Sequence, residues 1–112
     1  MLSRKNRLPL RTELHRIQKE GKIYHFPFFG LLIAENQLDI ARFGLIVSKK
    51  IHKRAVKRNR VKRLLRESVR LLLPKLKPGF DVVFLTKRKV LGEDFQAVSS
   101  AVKKAFGKAG IL

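Results

Sequence analysis

Between Lys49 and Arg70 stand eleven Lys and Arg residues and a single acid, Glu67. At about 100° per residue, Val61, Leu64, Leu65, Ser68 and Leu72 fall in one narrow sector, so the stretch reads as a helix. Its span is about Ala55 to Leu73, ended by Pro74, which cannot continue the hydrogen-bond ladder. Asn59, Arg63, Arg66 and Arg70 form the opposite row at i, i+4, i+7 and i+11, flanked by Arg60 and Lys62. Like charges at i, i+3 and i+4 destabilise an isolated helix. Such a helix needs a sheet beneath its apolar stripe and an anion over its ridge.

The rest of the chain supplies the sheet. With 112 residues, 45% of them apolar, the sequence reads as one folded domain, residues 1–112, with a basic arm over 1–10. The net charge of +19 opposes folding by self-repulsion, which a polyanion would relieve. No cysteine is present, which removes disulfides and thiolate chemistry and fits a cytoplasmic protein. No apolar stretch follows the basic N-terminus before Glu13, so no signal peptide is expected. Phe26 to Ala34 is the longest apolar run and falls far short of the ~20 residues that span a bilayer.

Thr12 is the expected cap of a first helix whose inner positions are Leu14 and Ile17 and which stops at Gly21. Two strands are then predicted, from Ile23 to Ala34 and from Leu38 to Ser48, joined by a tight turn at Glu35-Asn36-Gln37. In the second, Phe43, Leu45 and Val47 share one face, with Arg42, Gly44, Ile46 and Ser48 on the other. Phe80 to Thr86, apolar on both faces, reads as a central strand after the Pro78-Gly79 turn. A last helix carries the stripe Phe95, Val98, Val102, Ala105 and Phe106, with Glu93 and Asp94 at its N-terminus. The order is helix, two or three strands, helix, strand, helix: an α+β domain built on a single sheet.

The basic row is more than a solvated face, because solvated faces mix signs. Arg suits a phosphate partner, since its planar fork makes two parallel hydrogen bonds. The run Ser48-Lys49-Lys50, followed by Ala55 to Glu67 with Arg58-Asn59-Arg60 inside it, resembles the signature of the bacterial ribonuclease P protein subunit. Asn6-Arg7-Leu8, Arg42-Phe43-Gly44 and Gly79-Phe80-Asp81 extend the resemblance over nearly the whole chain.

That resemblance implies an α/β sandwich with a left-handed β-α-β crossover, similar to one ribosomal protein domain. It implies a protein that does not cleave RNA itself. The catalytic RNA subunit holds the magnesium ions, and the protein binds no cofactor alone. One protein per RNA would bind that subunit through Lys49, Lys50, Lys53, Arg58, Asn59, Arg60, Lys62, Arg63, Arg66 and Arg70. A second surface would bind the 5′ leader of precursor tRNA. In the family, aromatic residues of the first helix line that leader cleft; Leu14 and Gln18 stand at the corresponding positions, and Leu32 replaces a frequent tyrosine.

Tyr24, Phe26 and Phe28 are read as sharing a face with Gly30 and Leu32, either as core or as a platform for unpaired bases. Stacking on such rings is worth roughly 1–3 kcal/mol per base. Phe29, in step with Leu31 and Ile33, reads as core. Enzyme chemistry carried by the chain itself finds no support. His15, His25 and His52 lack a helical i, i+4 partner, and Ser48, Ser99 and Ser100 lack a nucleophile elbow. The alternative from composition is a structural ribosomal-type RNA-binding protein. A DNA-reading helix lacks a clear dimer surface. A membrane-surface helix would expose the stripe that the sheet needs.

Overall fold

A computed structural model describes residues 2–112. Three helices, α1 (Leu10–Glu20), α2 (Ala55–Leu72) and α3 (Phe95–Ala109), pack on four strands, β1 (Lys22–His25), β2 (Phe29–Glu35), β3 (Arg42–Ile46) and β4 (Phe80–Thr86). The sheet order is β1-β2-β4-β3, antiparallel except for the parallel pair of β3 and β4. The chain crosses from β3 to β4 through α2, giving the β-α-β unit that the resemblance implies.

Period-2 alternation splits the sheet into two apolar faces. Phe29, Leu31 and Ile33 of β2, Phe43 of β3 and Val82 and Phe84 of β4 meet Val61, Leu65, Val69 and Leu72 of α2 and Val98, Val102, Ala105 and Phe106 of α3. On the opposite face Leu32, Ala34 and Val83 meet Leu8 and Ile17, with Leu10, Leu14, Ile46 and Leu85 packed around them. The result is a sandwich with α1 on one side and α2 and α3 on the other.

Several elements depart from the sequence reading. The first helix starts at Leu10 after Pro9, and Thr12 lies inside it, its hydroxyl donating to the Pro9 carbonyl at 3.2 Å. The expected strand from Ile23 to Ala34 is a hairpin broken at Phe26-Pro27-Phe28, where Pro27 removes a ladder donor. The expected strand from Leu38 begins only at Arg42, because Asn36 Oδ1 accepts from the Leu38 amide and Gln37 takes a φ of 60°, turning the chain. β2 and β3 are not neighbours; β4 lies between them, central as its two apolar faces require. Phe95 is 36% exposed and leaves the α3 stripe that it was expected to begin.

The segment expected as a basic arm is seated on the domain. Leu2 and Leu8 are buried, and the Leu8 amide donates to the Phe43 carbonyl at 2.9 Å. Asn6 Nδ2 donates to the Ala41 carbonyl at 2.8 Å. Met1 lies outside the described residues.

Candidate nucleic-acid interface

α2 turns its ridge outward because its inner face is satisfied. Val61, Leu65, Val69 and Leu72 are buried in the core, and the Ser68 hydroxyl donates to the Leu64 carbonyl at 2.7 Å. Asn59, Arg60, Arg63, Arg66 and Arg70 are all exposed, as are Arg54 and Lys57. Arg63 and Arg66 spend no donor on another group among the described residues. Arg60 Nη2 donates to the Glu93 carbonyl at 3.1 Å and ties α2 to the turn before α3. Asp94 caps that helix by accepting from the Ala97 amide at 2.9 Å.

Arg70 and Glu67 form an exposed pair three residues apart, with Arg70 Nε donating to Glu67 Oε2 at 3.0 Å. The hydrogen bond from Arg70 holds the Glu67 carboxyl below its ordinary range, and the same bond raises the guanidinium. The single acid of the window therefore partners Arg70 rather than Arg63, and leaves the Asn59–Arg66 part of the ridge positive. Arg58 behaves differently from the rest. It is half-buried, and its Nη1 donates to the carbonyls of His52 and Lys53 at 2.9 and 2.8 Å. This guanidinium shapes the loop entering α2, which lets Lys49, Lys50 and Lys53 stand exposed beside the helix. Lys62 is also half-buried, on the flank.

Arg88, absent from the sequence-derived site, joins this loop by donating from Nε to the Lys50 carbonyl at 2.9 Å. It belongs to the Lys87-Arg88-Lys89 run, whose density of charge was the available signal. The C-terminal ends of the parallel strands β3 and β4 thus deliver basic residues to one end of the sheet.

The residues expected to meet the leader divide between the two faces. Leu14 lies on the α1 side with Leu32, Ile46 and Leu85, and Gln18 is exposed one turn further along α1. Leu32 is buried there, while Leu14, Ile46 and Leu85 are half-buried. Leu10 rests over Gly44, where an added Cβ would meet its Cδ2 at 2.7 Å. Ile17 is fully buried in this cluster with Leu32 and Ala34 of β2, while Ile46 and Leu85 at the ends of β3 and β4 stay only partly covered. Tyr24, Phe26 and Phe28 pack instead against the core under α2 and α3. The shared face expected for these rings and Leu32 does not exist, because the hairpin sets Tyr24 opposite Leu31 rather than in phase with Leu32.

Arg16 and Glu13 of α1 also enter an ionic cluster centred on the buried Asp81. Asp81 accepts from Arg42 Nε and Nη2 at 2.9 and 2.8 Å, from Asn36 Nδ2 at 2.9 Å, and from Arg16. Glu13 completes it through Arg42 at 3.1 Å. Burial pushes the Asp81 carboxyl up, but hydrogen bonds from Arg42 and Asn36 and the charges of Arg42 and Arg16 hold it below its ordinary value. Both Asp81 oxygens are taken by protein donors, so the cluster is a pin for α1, β3 and β4.

The family model described as Ribonuclease P matches residues 2–110. The ribonuclease P protein component of Clostridium botulinum (strain Loch Maree / Type A3) is 38% identical over 109 residues, covering 96% of this chain and 97% of that one. That of Caldanaerobacter subterraneus subsp. tengcongensis is 39% identical over 108 residues, covering 96% and 92%. The RNase P protein from Thermotoga maritima, solved in complex with 1-(4-fluorophenyl)-2-thiourea, superposes with a TM-score of 0.82 at 33% identity, over 88% of this chain and 95% of that one. Staphylococcus aureus RNase P protein shares the fold with a TM-score of 0.86 at 22% identity, over 95% and 96%. With the family model matched over residues 2–110 and relatives 38% and 39% identical across nearly the whole chain, the chain belongs to the ribonuclease P protein family.

Proposed function

We propose that the protein binds the catalytic RNA subunit of ribonuclease P and the 5′ leader of precursor tRNA, assisting an RNA-catalysed removal of that leader. The observation that carries this reading is the outward row Asn59, Arg63 and Arg66, held rigidly by a buried stripe and left without acidic partners. Phosphates are its fitting ligand, because each guanidinium offers a bidentate fork. Lys49, Lys50, Lys53 and Arg60 widen the contact, and Arg58 supports it from within by fixing the entry loop.

The leader's place, in this reading, is the α1 side of the sheet, over Leu14, Gln18, Ile46 and Leu85. Its apolar floor suits unpaired bases, and the basic loops at the ends of β3 and β4 suit their phosphates. Magnesium ions enter through the RNA subunit, with one protein per RNA, in the cytoplasm. The test is cleavage of precursor tRNA by a bacterial ribonuclease P RNA at low magnesium, with and without this protein. Stimulation by the protein, with no cleavage by protein alone, is the expected result. Unchanged RNA-only cleavage overturns the proposal.

A further inference from the structure

Phe95 is the first residue of α3 and is 36% exposed, although α3 has an apolar stripe close at hand to bury it. Its ring borders a cavity of about 590 Å³ whose other walls are Arg7, Arg63, Leu64, Arg66 and Glu67. A lone exposed Phe means little on a protein surface. Here the ring stands with three guanidiniums and a half-buried Leu, and the single acid is already engaged by Arg70. The backbone around it is fixed twice, by the Asp94 cap and by Arg60 bonded to the Glu93 carbonyl. The volume falls within the ~300–1,000 Å³ typical of small-ligand sites.

A flat aromatic face beside several cations fits one ligand class, an anion that carries a planar ring. Phosphate alone would use the arginines and ignore Phe95 and Leu64. An apolar peptide would find no use for three positive charges in a chain of net charge +19. We propose that this cavity takes one unstacked nucleotide of the RNA bound along α2, its base on Phe95 and its phosphate on Arg63 or Arg66. The site would then read RNA shape, by requiring a base turned out of its helix at a set distance from the phosphates on the ridge. This inference rests on the RNA-binding role proposed for α2.

The chain has no Trp, so Phe95→Trp installs a sole indole fluorophore at the site. Titration with a bacterial ribonuclease P RNA should quench its emission, because a stacked base sits on the ring. Inorganic polyphosphate, a polyanion without bases, should bind and leave the emission nearly unchanged. Adenosine monophosphate at the same nucleotide concentration should also leave it unchanged. Phe95→Ala and Phe95→Leu should both weaken RNA binding, by about five- to 150-fold, with the salt slope and the melting curve unaltered. RNA retained on a filter with unquenched indole, or equal quenching by polyphosphate, overturns the pocket and leaves the ridge standing. Equal quenching by the mononucleotide makes it a free-nucleotide site and overturns the RNA assignment. Absence of any RNA binding removes the ridge and the pocket together.

Discussion

Tyr24 lies directly across the β1–β2 ladder from Leu31, which places its ring on the core built by α2 and α3 rather than in the cluster that holds Leu14. The aromatic cluster and the α1 side of the sheet are therefore separate surfaces, and they can be perturbed independently. Phe26 packs 5.9 Å from the buried Phe29, centroid to centroid. Truncating Phe26 and Phe28 to Ala should lower stability by roughly 1–3 kcal/mol each, less than the ~3–5 of a fully buried ring. The preference of the assembled enzyme for precursor over mature tRNA should stay unchanged. Gln18→Glu, at an exposed position beside Leu14, should do the reverse. It places a negative charge near leader phosphates and should reduce that preference about five-fold, from ~1 kcal/mol of repulsion, with no change in Tm. Paired titrations of precursor and mature tRNA distinguish the two outcomes.

Asp81 makes a sharp prediction about acid stability. Its carboxylate is buried against Arg42 and Arg16 and titrates below its ordinary value of 3.8. A depressed native pKa contributes stability above the ordinary carboxyl value, and that contribution is lost as pH falls through the lower native value. Denaturant melts should be flat across neutral pH in this respect and fall at acid pH, below about 4. Asp81→Asn should abolish that acid dependence and destabilise at pH 7 by about 3–5 kcal/mol, since Arg42 and Arg16 lose their buried counter-charge and keep only the more exposed Glu13 and Glu20. Equal acid sensitivity of variant and parent would assign it to other carboxylates.

Local patterns explain what was readable in advance and long-range ones what was not. α2 and most of α3 follow from single apolar stripes, and β4 from its two apolar faces. The insertion of β4 between β2 and β3 is a pairing across 35 or more residues, which no local period encodes. The hairpin break at Pro27 was hidden by the aromatic residues around it. Asp81 inside a buried strand demanded a cationic partner, but which arginines would supply it depended on the tertiary fold. Arg58 was legible in hindsight: three residues before Val61, it lies about 60° from the middle of the buried sector, where a solvent-facing role is awkward. Phe95 escaped because its i, i+3 spacing to Val98 reads as the start of the buried α3 stripe, whereas the ring is 36% exposed.

The Gly21 backbone sets how closely α1 approaches β2. A Cβ there would stand 2.6 Å from the Ile17 carbonyl oxygen and 2.8 Å from that of Ile33, both rigid backbone. Gly21→Ala should therefore destabilise by about 1–3 kcal/mol, as other overpacked positions do. RNA binding through α2, on the far face, should keep its affinity in the folded fraction. Chemical melts together with titrations below the transition check both halves.

Arg58 and the outer arginines should separate cleanly when neutralised. Arg63→Ala with Arg66→Ala removes two exposed guanidiniums that hold nothing inside the described protein. Each phosphate left without its guanidinium should reduce the log–log salt slope of RNA binding by about 0.7–0.9, so the pair should flatten it by about 1.5 while Tm stays put. Lys103→Ala with Lys104→Ala removes equal charge from the exposed side of α3 and should change the slope far less. Arg58→Ala breaks two hydrogen bonds to the His52 and Lys53 carbonyls, so it should lower stability by about 1.5–3 kcal/mol. Its effect on RNA affinity should come through the loop, weakening binding even where the salt slope barely moves. If all three variants shift the slope alike, net charge rather than placement governs the interaction, and the ridge loses its special standing.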